Sequence, residues 1–260
     1  MRVLKSLSVA GIAVLIAVIA PMASASAEVS ISCDSTPAYP HCYAIRTVGL
    51  SSSAVPTGAL SSVSSATGWV RADCQDTTYA NEISTSEIWL ITPNHSGFSL
   101  GSEWVEVGIT SGPFSGTSGT FLDFYWARGY HVAGSQTDYY NEYLTTDDSF
   151  GATLGTNYIF SVKYVSGSWR IYHGTNLVGS GTGTNLAPGS NQAVQSGAES
   201  ASTNTGNSGA VSHLGYVTNG TTVTGLSGYI FRSVQAYTYS SGSTQDLTFS
   251  TPVTPDGYCH

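Results

Sequence analysis

Residues 156–180, TNYIFSVKYVSGSWRIYHGTNLVGS, decide the predicted fold class. From Tyr158 to Tyr164, large apolar side chains recur at every second position, as they do on one face of a β-strand. The dipeptide Ser166-Gly167 is typical of a tight turn, and Trp169 to His173 alternates again. Gly174 to Asn176 predicts a second turn before a third strand. The stretch therefore predicts a three-stranded meander.

The same reasoning extends to most of the chain. β-Branched and aromatic residues between Gly, Pro and Asn breaks predict further strands, over residues 43–50, 68–73, 87–92, 103–110, 120–128, 192–199, 210–218 and 227–239. No stretch after residue 27 shows apolar residues at helical spacing. The meander also resembles a recurring piece of the concanavalin-A-like sandwiches. We therefore expect an all-β, two-sheet antiparallel jelly-roll-like sandwich over residues 67–260, preceded by a Pro- and Ser-rich N-terminal segment over residues 28–66.

The first 27 residues have the pattern of a secretory signal peptide. Arg2 and Lys5 precede an apolar run over residues 9–19, and small residues follow at 25–27. This run is too short to anchor the chain in a bilayer, and no later apolar stretch reaches membrane length. We therefore expect a secreted, extracellular product that has no membrane partner.

Charge excludes one class of partner. The chain has 8 basic and 16 acidic residues, for a formal net charge of −8, and removal of the signal peptide makes it more negative by two. A net charge this negative gives no overall electrostatic attraction to nucleic acids, so we expect no nucleic-acid partner. The expected partners are a polypeptide or a glycan, bound by a monomer that needs no cofactor.

Four cysteines remain after the signal peptide: Cys33, Cys42, Cys74 and Cys259. An even number in an exported chain predicts two disulfides, and four cysteines allow three pairings. We favour Cys33–Cys42, because the two are close in sequence, and Cys74–Cys259, which would fix the C-terminus. The spacings fit no zinc motif, so we predict no metal site.

Two predicted strands place polar side chains beside glycine. On residues 103–110, Val105, Val107 and Ile109 form one face, and Trp104 and Glu106 stand on the other beside Gly108. On residues 193–199, Gln195, Gly197 and Glu199 likewise share a face. If these strands neighbour one another, they form a groove that carries carboxylates and has walls of Trp104, Trp126 and tyrosines. The expected substrate-binding residues are Trp104, Trp126, Tyr140, Glu142 and Glu199.

The order of these segments resembles a known family. The stretches concerned are Ile88-Trp89-Leu90-Ile91, Glu106-Val107-Gly108-Ile109, Tyr140-Asn141-Glu142-Tyr143 and Val194-Gln195-Ser196-Gly197. They resemble the segments of the glutamic peptidases of the eqolisin type, which are acid-active enzymes on a concanavalin-A-like sandwich. The two key identities are exchanged, because Glu106 stands where that family has glutamine and Gln195 where it has glutamate.

The resemblance implies a peptidase in which Glu106 is the general acid/base and the Gln195 amide donates to the oxyanion. Two alternatives stay open. In one, the protein is a lectin-like domain that stacks sugars on Trp104, Trp126 and tyrosines without chemistry. In the other, it is a spore- or wall-associated structural protein that needs no groove. Glu106 with Glu199 or Glu142 as the two carboxylates of a glycosidase fares worse, because the sequence has no E-x-D-x-x-E strand.

Overall fold

The computed structural model describes the strands and part of the connections. The described residues are 28–30, 42–48, 60–73, 75–76, 84–93, 102–112, 121–131, 138–144, 151–181, 187–189, 192–200, 206–225, 230–233, 238–240 and 246–250. They contain strands and turns but no helix, and so no helix long and apolar enough to cross a membrane. The all-β prediction is confirmed.

The larger sheet has eight strands. Their spatial order is β1 (Glu28–Ser30), β15 (Ile230–Ser233), β2 (Cys42–Val48), β12 (Ala193–Ser200), β5 (Ser84–Pro93), β6 (Ser102–Gly112), β7 (Phe121–His131) and β8 (Asp138–Leu144). All neighbours are antiparallel except β1 and β15, which are parallel. The predicted site strands, β6 and β12, therefore lie on either side of β5.

The second sheet has nine strands. Seven follow the order β11 (Asn176–Gly181), β10 (Ser168–His173), β9 (Asn157–Val165), β3 (Val63–Arg71), β13 (Gly206–Thr218), β17 (Leu247–Ser250) and β16 (Thr238–Ser240). The two others, β4 (Gln75–Asp76) and β14 (Thr221–Thr224), both pair with β13. The predicted meander forms one edge of this sheet.

The turn inside the meander follows from its two residues. Ser166 and Gly167 both have positive φ, 52° and 86°, which is the backbone of a two-residue hairpin turn that matches the twist of its strands. Trp169 and Ile171 then return to the core, where they are 2% and 0% exposed. The sequence prediction of this hairpin is confirmed in its strands, its turn and its buried face.

The main hydrophobic core lies between the two sheets. It draws on Ile88, Val107 and Phe124 from the larger sheet and on Phe160 and Leu214 from the smaller one. Each of these side chains is at most 5% exposed. Burial of this apolar surface is the main free-energy term that holds the sheets together. The two faces that point away from this core, one on each sheet, are called the outer faces below.

Some predicted elements differ from those observed. β2 and the start of β3 fall inside the predicted N-terminal segment, yet both pair within the sheets. The single strand predicted over residues 227–239 is wrong, because β15 belongs to the larger sheet and β16 to the smaller one. Alternation within a stretch does not reveal where the chain changes sheet. Cys42 is buried at the start of β2. Cys33, Cys74 and Cys259 lie outside the described residues, so both disulfide pairings stay predictions.

Candidate active site

The site begins with the alternation of β6. Val105, Val107 and Ile109 point into the core and are at most 2% exposed. Trp104 and Glu106 therefore lie on the outer face of the larger sheet, as predicted. Glu106 is nevertheless only 5% exposed. A carboxylate that is nearly buried away from the main core must be held by polar groups or share its charge with them.

Strand register aligns Glu106 with Gln195. Trp89 of β5 pairs with Glu106 on one side and with Gln195 on the other. Because neighbouring strands are about 4.8 Å apart, the backbones of Glu106 and Gln195 are separated by roughly 10 Å. Trp89 lies between them and is 4% exposed. The predicted pair therefore shares one face and one register row, with an indole between its members.

Three carboxylates meet beside this row. Carboxylate oxygens of Glu87, Glu106 and Glu199 all lie within 4.8 Å of one another. Glu87 is completely buried, and Glu199 is partly exposed. Like charges this close disfavour full ionisation, so the cluster tends to retain a proton or to attract a cation. Glu199 is the member most accessible to solvent.

Two glycines make room for Glu87. Gly108 of β6 and Gly197 of β12 are its cross-strand partners on either side. A Cβ on Gly108 would collide with the carbonyl oxygen of Ser86 and lie 2.7 Å from Cβ of Glu87. A Cβ on Gly197 would collide with the carbonyl oxygen of Ala44. The glycines noted in the sequence beside Glu106 and Gln195 thus leave space for a third carboxylate between them.

Hydroxyl groups hold both ends of the site. The Thr85 hydroxyl donates to Oε1 of Glu87 at 2.6 Å, and both residues are buried. Nε2 of Gln195 donates to Oγ1 of Thr47 at 3.0 Å. A hydrogen bond to a carboxylate favours its ionised form. A side-chain amide carries two N–H groups, so the bond to Thr47 orients Gln195 and uses one of them.

The two predicted tryptophan walls differ. Trp104 lies on the outer face with its indole over Gly129, where a Cβ would collide with its ring. It packs against an apolar cluster of Ile45, Trp89, Ile91 and Ala193. Trp104 therefore borders the site as predicted.

Trp126 does not border it. It belongs to the main core, is 6% exposed, and stacks on Tyr143 with a centroid distance of 4.2 Å. Both faces of β7 are apolar around this position, so the sequence pattern did not show which face Trp126 takes. The structure removes it from the predicted groove.

Cross-strand pairing aligns residues of β8 with the site residues of β6, through β7. Glu142 pairs with Ala127, which pairs with Glu106, and Tyr140 pairs with Gly129, which pairs with Trp104. The side chains of Tyr140 and Glu142 lie outside what the structure describes. Their roles as substrate-binding residues stay predictions.

The sequence reasoning missed the residues of β5. Thr85, Glu87 and Trp89 lie between the two predicted strands and contact or border both. The one available indication was the position of Glu87 and Trp89 at alternate places in a strand already predicted over residues 87–92. That strand was not placed between the other two, because strand order is not contained in local alternation.

The carboxylate cluster is the group that could hold a metal ion among the residues described. Calcium and magnesium both prefer oxygen ligands, and calcium takes six to eight of them. Three carboxylates therefore supply part of a coordination shell. The same three groups also suffice to share a proton, which needs no further ligand.

Known proteins resemble this chain in fold but not in sequence. No protein-family model matches the sequence, and no curated protein does. Among solved structures, scytalido-glutamic peptidase with a transition state analog inhibitor matches with a TM-score of 0.50 and 10% identity, over 81% of this chain and 98% of that one. SCP-B, a member of the eqolisin family in complex with the tripeptide Ala-Ile-His, has a TM-score of 0.43 and 10% identity, over 82% and 98%.

A carbohydrate-acting structure is similar as well. The kappa-carrageenase from Pseudoalteromonas carrageenovora, in complex with an oligotetrasaccharide of kappa-carrageenan, has a TM-score of 0.34 and 10% identity, over 84% of this chain and 82% of that one. At such identities a likeness concerns the fold. This chain is a two-sheet β-sandwich that resembles the glutamic peptidases of the eqolisin type in its architecture.

Proposed function

We propose that this protein is a secreted, acid-active glutamic endopeptidase in which Glu106 is the general acid/base and Gln195 the oxyanion donor. One observation carries the proposal. Glu106 and Gln195 share a face and a register row, and Glu106 lies within a cluster of three glutamates whose oxygens are within 4.8 Å of one another. Acid–base chemistry requires a carboxyl group that can both take and return a proton, and such a cluster provides it.

The charge distribution favours Glu106 as the proton carrier. Glu87 is completely buried and accepts the Thr85 hydroxyl, which favours its ionised form. A buried negative charge at Glu87 disfavours ionisation of the neighbouring Glu106 and Glu199. The neighbouring charge thus raises the proton affinity of Glu106, which suits a carboxylate that takes a proton from water and later returns it.

The proposed reaction uses the two groups as follows. Glu106 takes a proton from water while the water oxygen attacks the carbonyl carbon of a peptide. The negative charge that develops on the carbonyl oxygen receives an N–H from Gln195. Glu106 then returns the proton to the leaving nitrogen, and the C–N bond breaks.

The test is cleavage of casein by purified protein from pH 2 to 7. Wild type should cleave best on the acid side, and Glu106→Gln should show no measurable cleavage. Its Tm should not fall, because removing one charge relieves repulsion in the cluster. Asp73→Asn is the matched control, since Asp73 is a carboxylate that pairs with Arg71 on the other sheet. Intact casein at every pH with wild type would refute the proposal.

Gln195 has a separate test. Gln195→Ala should lower turnover by about 10²–10³, the usual loss for one oxyanion donor, with a smaller change in KM. Thr47→Val, which removes the hydroxyl that orients the amide, should lower turnover less than this. Equal KM and turnover effects in both variants would indicate a structural role for Gln195 instead. Serine-, cysteine- and metal-directed inhibitors, including EDTA, should leave cleavage unchanged.

A glycosidase is the second candidate that the geometry favours. Retaining glycosidases place two carboxyl groups about 5–5.5 Å apart, and the oxygens of Glu106 and Glu199 lie within 4.8 Å. Release of reducing ends from a panel of polysaccharides, with casein left intact, would select this candidate. The lectin alternative required sugars to stack on Trp104 and Trp126, but Trp126 faces the core and is not available for stacking.

A further inference from the structure

A second surface lies on the outer face of the smaller sheet, far from the carboxylate cluster. Six basic residues remain beyond the predicted signal peptide. Three of them, Arg71, Lys163 and Arg170, have cross-strand positions on this face. Arg170 of β10 pairs directly with Lys163 of β9. An acidic chain thus places half of its few cations on one side of one sheet.

This face carries few opposing charges. The stretches 60–72, 151–181 and 206–225 contain no Asp or Glu at all. Asp73 follows β3 and forms a two-oxygen contact with Arg71, at 2.7 and 2.8 Å, which raises the pKa of Arg71. Asp246 precedes β17. Lys163 and Arg170 have no carboxylate partner among the described residues, so they form the cationic part of the face.

Aromatic and apolar side chains are exposed beside these cations. Trp69 and Ile159 are cross-strand partners and are 36% and 37% exposed. Lys163 lies over the ring of Tyr172, with its Nζ 5.1 Å from the centroid. Trp69 is four positions along β3 from Ser65, the partner of Lys163, which corresponds to roughly 13 Å along the strand. The face is thus an extended strip with an indole at one end and two cations at the other.

We propose that this strip, Trp69–Ile159–Tyr172–Lys163–Arg170, binds an acidic polysaccharide. The anionic groups of such a polymer would pair with Lys163 and Arg170 through charge-assisted hydrogen bonds. Its sugar rings would stack on the exposed part of Trp69, which has the ring of His213 as a neighbour at 5.2 Å between centroids. The strip lies on the other sheet from Glu106, so this binding does not depend on the proposed peptidase activity.

The experiment is affinity electrophoresis of the full secreted chain in gels that contain polygalacturonate, with neutral dextran as the comparison gel. Wild type should be retarded by polygalacturonate alone, and added salt should weaken the retardation by screening. Lys163→Gln with Arg170→Gln should lower the affinity about tenfold, and Trp69→Ala should lower it by a similar factor. Asp73→Asn frees Arg71 from its partner and should raise the affinity.

Casein cleavage by the same variants separates the two proposals. The polysaccharide proposal is supported if the variants lose retardation by polygalacturonate and still cleave casein as wild type does. It is supported equally if wild type cleaves no casein and the variants lose retardation. Equal retardation of wild type and the Lys163/Arg170 double variant would overturn it, and so would equal retardation by neutral dextran. Binding to phosphatidylglycerol vesicles without retardation by polygalacturonate would overturn it in favour of a lipid surface. Circular dichroism of each variant confirms that the sheets are intact.

Discussion

The outer faces of the two sheets differ in how they treat polar and apolar groups. On the larger sheet, Glu87, Trp89 and Glu106 are at most 5% exposed although they point away from the main core. On the smaller sheet, Trp69 and Ile159 are more than a third exposed, beside cations. Water covers the second face, whereas the first holds carboxylates in a low-dielectric setting that strengthens every charge interaction. The first face therefore suits the proposed chemistry, and the second suits the proposed surface recognition.

Two tryptophans of the larger sheet, Trp126 and Trp104, face opposite sides of that sheet. Trp126 bridges the sheets, since its indole fills the space where a Cβ on Gly179 of β11 would lie. Trp104 lies on the outer face over Gly129. One tryptophan thus supports the fold and the other borders the candidate site. A stability measurement should distinguish them clearly.

Trp126→Ala is expected to have the largest effect on stability. Truncating a buried tryptophan in a packed core costs about 3–5 kcal/mol, and here it also removes the stack on Tyr143. Trp104→Ala is the matched variant on the outer face and should cost less than about 2 kcal/mol, because the residue is only partly buried. Urea unfolding of both proteins measures the two values. A similar loss from each would mean that the outer face is as structural as the core.

Thr85→Val probes the carboxylate cluster with a smaller effect. The valine keeps the shape but removes the donor to Glu87, which should cost about 1–3 kcal/mol because a buried charged acceptor loses its partner. The same loss disfavours ionised Glu87, so it weakens the repulsion that opposes ionisation of Glu106. Because Glu106 acts as the base, the pH profile of cleavage should move to lower pH. Thr85→Ser, which restores the hydroxyl, should return the profile to that of wild type, whereas a profile unchanged by valine would exclude Glu87 from the chemistry.

Local alternation predicted the fold class and part of the site. It placed Trp104 and Glu106 on one face of β6, and Gln195 and Glu199 on one face of β12, because side-chain direction in a strand depends only on sequence parity. It could not place β5 between these strands, since pairing partners are far apart in the chain. Glu87, the carboxylate at the centre of the cluster, was missed for that reason.

Sequence alternation also cannot tell which side chains face the core where both faces of a strand are apolar. In β7, Tyr125 and Trp126 are both buried, at 1% and 6% exposure, although they point to opposite sides of the sheet. The sequence around them contains no polar alternation that would assign either residue to the core. The pairing with β6 decides the side: Trp126 lies opposite Val107, which faces the core, and its indole packs against Gly179 of β11.

The smallest expected effect concerns His173, which lies between the sheets. Its ring is 4.2 Å from that of Phe124 on the larger sheet and 5.3 Å from that of Phe160 on its own sheet, measured between centroids. Burial among these rings lowers the pKa of His173 in the folded protein. The unfolded chain therefore binds a proton first as the pH falls through about 6.5, and the free energy of unfolding decreases until the pH passes below the folded pKa.

His173→Phe removes this titration and keeps an aromatic ring in the cluster. The free energy of unfolding of both proteins is measured with urea at pH 7.5 and at successive steps down to pH 5. As the pH falls, the variant should become modestly more stable than wild type. His213→Asn is the control, because His213 is exposed on the smaller sheet and its positive φ of 51° suits asparagine. It should show no such trend. If instead wild type gains stability relative to His173→Phe at acid pH, attraction between the imidazolium and the surrounding ring faces outweighs the cost of its burial.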